Sequence, residues 1–419
     1  ANSFAQRLCN ETGTRLIDWI DHLAVPGDIN LLQQLNDAGF VVAKGPFAAE
    51  YEGNVWQNDQ GIFPLLVTHD QSTERLVITV ESIETFYRAH QLDAVEGEPL
   101  SALRKTMIAR QRNAEFWAVE RHGGWGWQLQ AGESNDQLRH CEQMFCERRR
   151  TFDHDAEGFE YTLDIVRNAI DLVGVDRACD LFFAAERDYW QSRNQAARIQ
   201  RSRQDALGLG WANHDHHTYR SSRESFASLI TVFEQLGCRC RERFYAGAEA
   251  GWGAQVLEQP QCGIVIFADV DLTPDELSGD FAHQPLLPLG EVGTVGLWCK
   301  LHGEAFFQAG MHHLECQFDF DAVRQQLKAN GIESMAPFTD FAYLKQAFTE
   351  GEIWSVDPQR IEALRISGLI TDSQADQFSR EGTLGSHLEI LQRDDGFKGF
   401  NQTGVSQIIR KTDPRVAGV

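Results

Sequence analysis

Two segments in the second half of the sequence begin alike, with a pair of adjacent histidines on a predicted strand. The first pair is His216 and His217, and the second is His312 and His313. An apolar pattern with helical spacing follows each pair and ends at a glycine, and further strand patterns come after it. This internal repeat constrains the fold more than any other feature. It predicts an α+β fold in which paired βαβββ modules form one curved, half-open β-barrel.

The first half of the chain has a different character. Residues 1–207 are predicted to be mainly helical, with long stretches of apolar residues at helical spacing. One β-hairpin is expected here, because β-branched runs at 62–68 and 75–80 flank a turn-rich stretch. The region shows no copy of the repeat. A Gly-Leu-Gly at 208–210 ends the last helical pattern, so we predict two domains, residues 1–207 and residues 208–419.

Charge and composition exclude several classes of function. The chain has 38 Lys and Arg against 61 Asp and Glu, a net charge of −23, which disfavours binding to nucleic acid. The apolar stretches are too short to span a membrane, and the first residues do not form a secretion signal. Nine cysteines cannot all pair with one another, and their spacing does not match a structural zinc site. We therefore expect a cytoplasmic protein that binds neither nucleic acid nor membrane.

Three separate segments supply groups that bind metals. Residues 213–220 and 310–315 contain the histidine pairs, and residues 385–391 contain a histidine and a glutamate. Each segment is predicted to be a strand, so alternation can turn one ligand of each towards a common centre. Two imidazoles and one carboxylate on one side of a metal are typical of non-haem Fe(II) oxygenases. The alternative is that these histidines are hydrogen-bonded structural residues.

The same segments carry a resemblance to a known superfamily. Asp215-His216-x-x-x-Arg220, Met-His-His-Leu at 311–314 and Leu-Glu-Ile-Leu-Gln-Arg at 388–393 resemble the vicinal oxygen chelate superfamily. The stretch to residue 401 is similar to the end of 4-hydroxyphenylpyruvate dioxygenases. The His-x-x-x-Arg pair resembles the 2-oxoadipate dioxygenase/decarboxylase (hydroxyglutarate synthase) family. The resemblance covers about residues 211–415. The predicted helical first half departs from 4-hydroxyphenylpyruvate dioxygenases, whose first half is another barrel of the same type.

This resemblance implies roles for individual residues. The metal ligands would be His216, His313 and Glu389, with His217 as the rival of His216. The four-residue step from His216 to Arg220 favours His216, because alternate residues of a strand share a face. Arg220 would hold a carboxylate of the substrate through bidentate hydrogen bonds.

Two phenylalanines on the glycine-rich terminal segment are further candidates for the site. Phe397 and Phe400 are predicted either to form a lid over the pocket or to pack as ordinary core residues.

The function that the resemblance implies is that of a mononuclear Fe(II) dioxygenase. Its substrates would be O2 and a small 2-oxo acid, which is decarboxylated and hydroxylated. A glyoxalase-like isomerase or lyase with Zn or Ni is a second hypothesis, for which Glu304 and Glu315 offer further carboxylates. Mn is a further alternative metal. A non-catalytic protein that binds a small molecule is the third hypothesis, and a homo-oligomer is left open.

Overall fold

Strands in this chain form two sheets, of seven and nine strands. The structure is a computed structural model, and it describes residues 1–44, 51, 53–58, 60–97, 103–121, 135–399, 401 and 413–415. The first sheet consists of β1 (Ile20–Pro26), β2 (Phe40–Val42), β3 (Asn54–Asn58), β4 (Leu65–His69), β5 (Glu74–Thr79), β6 (Leu103–Gln111) and β7 (Ala114–Arg121). The second consists of β8 (His214–Arg220), β9 (Arg239–Tyr245), β10 (Trp252–Gln259), β11 (Ile264–Asp271), β12 (His313–Gln317), β13 (Thr339–Phe341), β14 (Leu344–Phe348), β15 (Glu352–Trp354) and β16 (Thr383–Arg393).

Helices precede and separate these strands. In the first half they are α1 (Asn2–Arg7), α2 (Ile29–Asp37), α3 (Ile83–His90), α4 (Asn135–Cys146), α5 (Asp155–Val173), α6 (Val175–Ser192) and α7 (Gln195–Asp205). In the second half they are α8 (Phe226–Gln235), α9 (Thr294–His302), α10 (Phe320–Ala329), α11 (Pro358–Ile366) and α12 (Asp372–Glu381). Short 3-10 or π-helical segments lie at Leu8–Thr12, Leu16–Trp19 and Pro274–Ser278. None of the helices in the described ranges is both long and apolar enough to cross a membrane.

The second sheet confirms the paired modules. The first module is β8, α8, β9, β10 and β11, and the second begins with β12 and α10 and ends with β16. In the sheet the strands run β13-β14-β16-β12-β8-β11-β10-β9, and β15 pairs with β16. The two modules meet at the antiparallel pair β8 and β12, and each of these strands has a parallel neighbour on its other side, β11 or β16. The sheet does not close into a barrel, because its order runs from the edge strand β13 to the edge strand β9.

One predicted feature of the first half is wrong, and one is missing from the prediction. The helices of residues 1–207 are present, but the strands at 62–68 and 75–80 do not form a hairpin. They become β4 and β5, which lie on opposite sides of β1, parallel and antiparallel to it respectively. The strand order β2-β3-β4-β1-β5-β7-β6 makes β1, α2, β2, β3 and β4 a βαβββ module. The first half therefore does carry the repeat that the sequence did not reveal.

A layer of helices covers one face of the second sheet. Phe183 of α6 stacks on Phe233 of α8 with ring centroids 6.1 Å apart, and Tyr219 of β8 packs edge-on against both rings. All three side chains are fully buried in the largest apolar core, which also includes residues of α4, α5 and β16. Because residues alternate along β8, Tyr219 faces this core while its neighbours Thr218 and Arg220 line a cavity on the other face.

Candidate metal centre

Three adjacent strands bring the predicted metal ligands together. His216 lies on β8 opposite Glu315 of β12, and Glu315 lies beside Glu389 of β16. His313 is two residues before Glu315, on the same face of β12. One ligand atom from each of His216, His313 and Glu389 lies within 4.8 Å of the other two, and all three residues are buried. The central antiparallel pair thus places groups far apart in sequence around one point.

His216 is held by two carboxylates. Its Nδ1 lies 3.3 Å from Asp215 Oδ2 and 3.3 Å from Glu315 Oε1, which leaves Nε2 as the nitrogen for a metal. Burial opposes charge on the ring, but Glu315 and Asp215 outweigh burial and raise the pKa of His216 to about 9. Metal-bound histidines commonly donate their other ring N–H to a carboxylate, which fixes the ring orientation. The surroundings of His216 therefore favour a positive charge, whether a proton or a metal ion.

His313 and Glu389 face each other directly. His313 Nε2 lies 2.9 Å from Glu389 Oε2. Burial, with the nearby His387 and His216, lowers the pKa of His313 well below its ordinary value, so the ring is the neutral ligand that a metal requires. Burial and the Glu315 carboxylate raise the pKa of Glu389 well above its ordinary value. A bound cation would relieve that repulsion, so the donor set fits a divalent metal.

His217, the rival ligand, lies on the opposite face of β8. Its ring packs edge-on against Phe183, and its Nε2 is 3.2 Å from Nη1 of Arg187. Its Nδ1 lies 3.3 Å from the carbonyl oxygen of Val265. In the described part of the chain, His217 belongs to none of the groups of three potential ligands that come within 4.8 Å of one another.

A second group of potential ligands shares one residue with the first. His312, His313 and His387 also bring one ligand atom each within 4.8 Å. Nδ1 of His312 already lies 3.1 Å from the carbonyl oxygen of Gly385. The charge of Arg220 lowers the pKa of all three histidines, after the larger effect of burial, and the group has no carboxylate. The group containing Glu389 is therefore better suited to a cation.

Arg220 is a buried cation with unsatisfied hydrogen-bond donors. The residue is 2% exposed, and its Nε and Nη1 have no hydrogen-bond partner among the described residues. Its guanidinium lies 5.5 Å from the centre of the Trp298 ring. Asp269 lies opposite Arg220 on β11, and burial raises the pKa of Asp269 to about 7 despite that cation. A buried donor without a partner is costly, so Arg220 is poised to bind an anion in the cavity.

One cavity of about 70 Å³ joins these groups. Its polar lining includes the three candidate ligands, Arg220 and His387, and its apolar lining consists of Phe244, Trp252, Phe267, Phe338 and Phe348. The structure buries His387 between the rings of His313 and Phe348, and neither of its ring nitrogens has a hydrogen-bond partner within the described ranges.

Of the two terminal phenylalanines, the structure describes only Phe397. Phe397 packs against the ring of Tyr343 at 4.7 Å between centroids, and it is not part of the cavity lining. Phe400 lies outside the described residues. Asn401, which the sequence did not suggest, lines the cavity and donates from Nδ2 to the hydroxyl of Thr339 at 3.1 Å.

The pseudo-symmetry of the two modules shows where a fourth ligand would stand. Glu389 lies beside Glu315 in the parallel pair of the second module, and Phe267 lies beside Thr218 in the parallel pair of the first. The position related to Glu389 is thus an aromatic side chain, 4.3 Å from the ring of His216. Glu304, one of the two further carboxylates, lies outside the cavity lining and accepts hydrogen bonds from Ser221 and Ser222. Glu315 remains beside His216.

No protein-family model matches the sequence, and no curated protein matches it. Similar solved structures include methylmalonyl-CoA epimerase from Mycobacterium tuberculosis, at 16% identity over 43% of this chain and 88% of that chain, with a TM-score of 0.24. A variant of 4-hydroxymandelate synthase from Streptomyces coelicolor has 12% identity, covers 95% of this chain and 97% of that one, and gives a TM-score of 0.29. A fusion of a xylose isomerase-like TIM barrel and 4-hydroxyphenylpyruvate dioxygenase has 11% identity, covers 100% of this chain and 57% of that one, and gives 0.26. These values are too low to assign a function.

Proposed function

We propose that this protein is a mononuclear non-haem Fe(II) dioxygenase that acts on a small 2-oxo acid. The observation that carries the proposal is one buried cavity that holds both the His216–His313–Glu389 group and the unsatisfied guanidinium of Arg220. The first is a donor set for a divalent metal with open positions, and the second is a site for a carboxylate. An enzyme that must bind a metal and a carboxylic acid side by side requires this combination.

Each residue has a defined part in this proposal. His216, His313 and Glu389 would hold the metal, which when bound supplies the redox chemistry with O2. Arg220 donates hydrogen bonds to a substrate carboxylate and fixes the direction from which the acid enters the cavity. The aromatic residues of the lining exclude water from the site, which strengthens that charge pairing.

The proposed reaction consumes one O2 per acid. The bond between the 2-oxo carbon and its carboxylate breaks, and CO2 leaves. One oxygen atom enters the new carboxylate, and the other forms a hydroxyl group on the remaining chain. These two two-electron oxidations together reduce O2 by four electrons, so no further reductant is needed. The small volume of the cavity, about 70 Å³, favours a small acid over a large one.

A second candidate is a glyoxalase-like isomerase or lyase with Zn or Ni. The observation in its favour is Glu315, which lies within hydrogen-bonding distance of His216. Such an enzyme would be suited by a carboxylate as the fourth ligand of its metal. Phe267 at the position related to Glu389 favours the three-ligand oxygenase instead.

Metal content and oxygen consumption test these candidates. We expect untagged protein to contain about one iron per chain and to consume O2 with at least one member of a panel of 2-oxo acids, releasing CO2 in equal amount. Zinc or nickel at full occupancy without O2 uptake would favour the isomerase. Absence of tightly bound metal under every purification condition would favour a non-catalytic binding protein.

A further inference from the structure

The first sheet contains a second copy of the residues that orient His216. Asp21 and His22 stand on β1 as Asp215 and His216 stand on β8. In both pairs the histidine Nδ1 faces the preceding aspartate, at 2.5 Å for His22 and 3.3 Å for His216. Each aspartate also pairs with an arginine on the strand that comes last in the sequence of its own sheet. Asp21 pairs with Arg121 of β7 at 2.6 Å, and Asp215 pairs with Arg393 of β16 at 3.3 Å.

The strand register shows the same correspondence for individual residues of the two sheets. His22 lies opposite Val77 of β5, which lies beside Trp117 of β7. His216 lies opposite Glu315 of β12, which lies beside Glu389 of β16. Arg121 follows Trp117 by four residues, and Arg393 follows Glu389 by four. The two sheets therefore place the same aspartate–histidine–arginine set at the same positions.

The other metal-binding positions have changed in the first sheet. Arg75 stands where the second sheet has His313, and Trp117 stands where it has Glu389. Among the residues that the structure describes, no group of three potential ligands within 4.8 Å comes from this region. The cationic side chain of Arg75 thus occupies the position of one metal ligand, and the ring of Trp117 occupies the position of another.

A cavity of about 330 Å³ lies over these residues. Four cationic side chains and two carboxylates line it, namely Arg75, Lys105, Arg110, Arg121, Glu96 and Glu115. Its apolar lining includes Val67, Val77, Met107 and Trp117, so one part of the cavity is charged and another is apolar. The volume falls within the range of pockets that bind small molecules.

His69 gives an independent indication of a ligand in this cavity. It lines the cavity, is 7% exposed, and its Nε2 has no hydrogen-bond partner in the part of the chain that the structure describes. Its Nδ1 accepts the backbone N–H of Gln71 at 3.2 Å, so the proton of the neutral ring is on Nε2. A buried N–H donor without an acceptor thus belongs to a residue of the cavity lining.

We propose that the first sheet binds a small organic carboxylate without a metal, between Arg75 and His69 and against Trp117. The cations and the His69 Nε2–H would take the carboxylate oxygens, and the apolar lining would take the hydrocarbon part of the ligand. This site is separate from the candidate metal centre and does not depend on the proposed dioxygenase activity.

Titration calorimetry with benzoate tests the proposal. The parent is the full chain with Arg220→Met, freed of metal, so that the cavity of the second sheet does not contribute. We expect saturable binding of one benzoate, weakened about 10- to 100-fold by Arg75→Gln and by His69→Leu, because each removes one hydrogen bond to a charged group. The matched control is Arg88→Gln on α3, an exposed arginine that pairs with Glu84 and does not line the cavity.

Each outcome decides the proposal. No saturable binding in the parent, or affinity unchanged in Arg75→Gln and His69→Leu, overturns it. An equal loss in Arg88→Gln also overturns it, because the effect would then come from general charge. If phosphate binds as tightly as benzoate, the site does not require a hydrocarbon part in its ligand, and the proposal of an organic carboxylate is wrong. If thermal melting shows that Arg75→Gln is unfolded, His69→Leu decides alone, since it removes the unpartnered Nε2–H and, of the hydrogen bonds within the described residues, only the one from the Gln71 N–H to Nδ1.

Discussion

Replacing Arg220 by methionine tests two effects of this buried cation separately. One is its effect on the stability of the folded protein, and the other is its part in binding a substrate carboxylate. Two of its donors, Nε and Nη1, have no partner, and each unsatisfied buried donor costs about 1–3 kcal/mol. Removing these donors therefore stabilises the folded protein. Loss of the contact with the Trp298 ring offsets about 0.5–2 kcal/mol of that stabilisation. Asp269 is not left as a bare charge, because without the cation its pKa rises further above about 7 and it binds a proton. We expect Arg220→Met to increase the free energy of unfolding by up to about 5 kcal/mol.

The same substitution should damage the reaction. Without the guanidinium, a substrate carboxylate loses its charge-assisted hydrogen bonds, and we expect kcat/KM for a 2-oxo acid to fall about 10- to 100-fold. Bound metal should remain, because Arg220 is not one of the candidate ligands. Arg220→Lys should lose at least about 10-fold, since a point charge replaces a planar fork.

Urea unfolding of the metal-free protein, O2 uptake and metal analysis make up the assay. Arg148→Met is the matched control, because Arg148 is equally buried but pairs with Glu186. Breaking a buried pair costs about 3–5 kcal/mol, so this variant should be destabilised. If Arg220→Met is destabilised as much as Arg148→Met and keeps full activity, Arg220 is a structural residue and the reasoning fails.

Three further predictions concern the metal, pH and the terminal segment. His216→Ala should lose high-affinity metal binding, while His217→Ala on the opposite face should retain it; elemental analysis showing the reverse would contradict the assignment. Burial raises the pKa of Glu304 to about 7, above its ordinary value of 4.5. The folded protein therefore binds the extra proton, and stability should fall by up to about 3 kcal/mol as the pH rises from about 4.5 to 7 and stay level above that. Glu304→Gln should flatten this part of the curve in urea unfolding at several pH values, and an unchanged curve would exclude Glu304 as its cause. Phe397→Ala should change kcat/KM less than about twofold, because the ring packs on Tyr343 outside the cavity; a loss of 10-fold or more would place it in the reaction after all.

The sequence was most informative where neighbouring positions determine the structure. The helix that follows the histidine strand in each module, α8 or α10, ends just before a glycine, as the sequence indicated. Alternation along β8 also predicted that His216 and His217 lie on opposite faces of the strand, and they do. The proximity of His216, His313 and Glu389 followed from the resemblance, and the structure brings the three together.

Pairing between distant strands was beyond the sequence. β1 reads as a weak strand because Asp21 and His22 interrupt its apolar residues, so the runs at 62–68 and 75–80 appeared to be neighbours. In the structure β1 lies between them, and its parallel partner β4 is reached only through α2, β2 and β3. The last helical stretch before residue 208 is two helices, α6 and α7, because Asn194 caps α7 by accepting the Ala197 N–H.

The position of β16 sets the order in which the metal centre can be completed during synthesis. Glu389 lies on this strand, the last of the described sheet, and 76 residues separate it from His313. At about 5–20 residues per second, this stretch takes roughly 4–15 s to emerge after His313 has been made. A nascent chain that stops before residue 383 has both histidines but no carboxylate from β16. Stable metal uptake is therefore a late event that reports a finished sheet, and truncated chains would be distinguished from complete ones by their metal content.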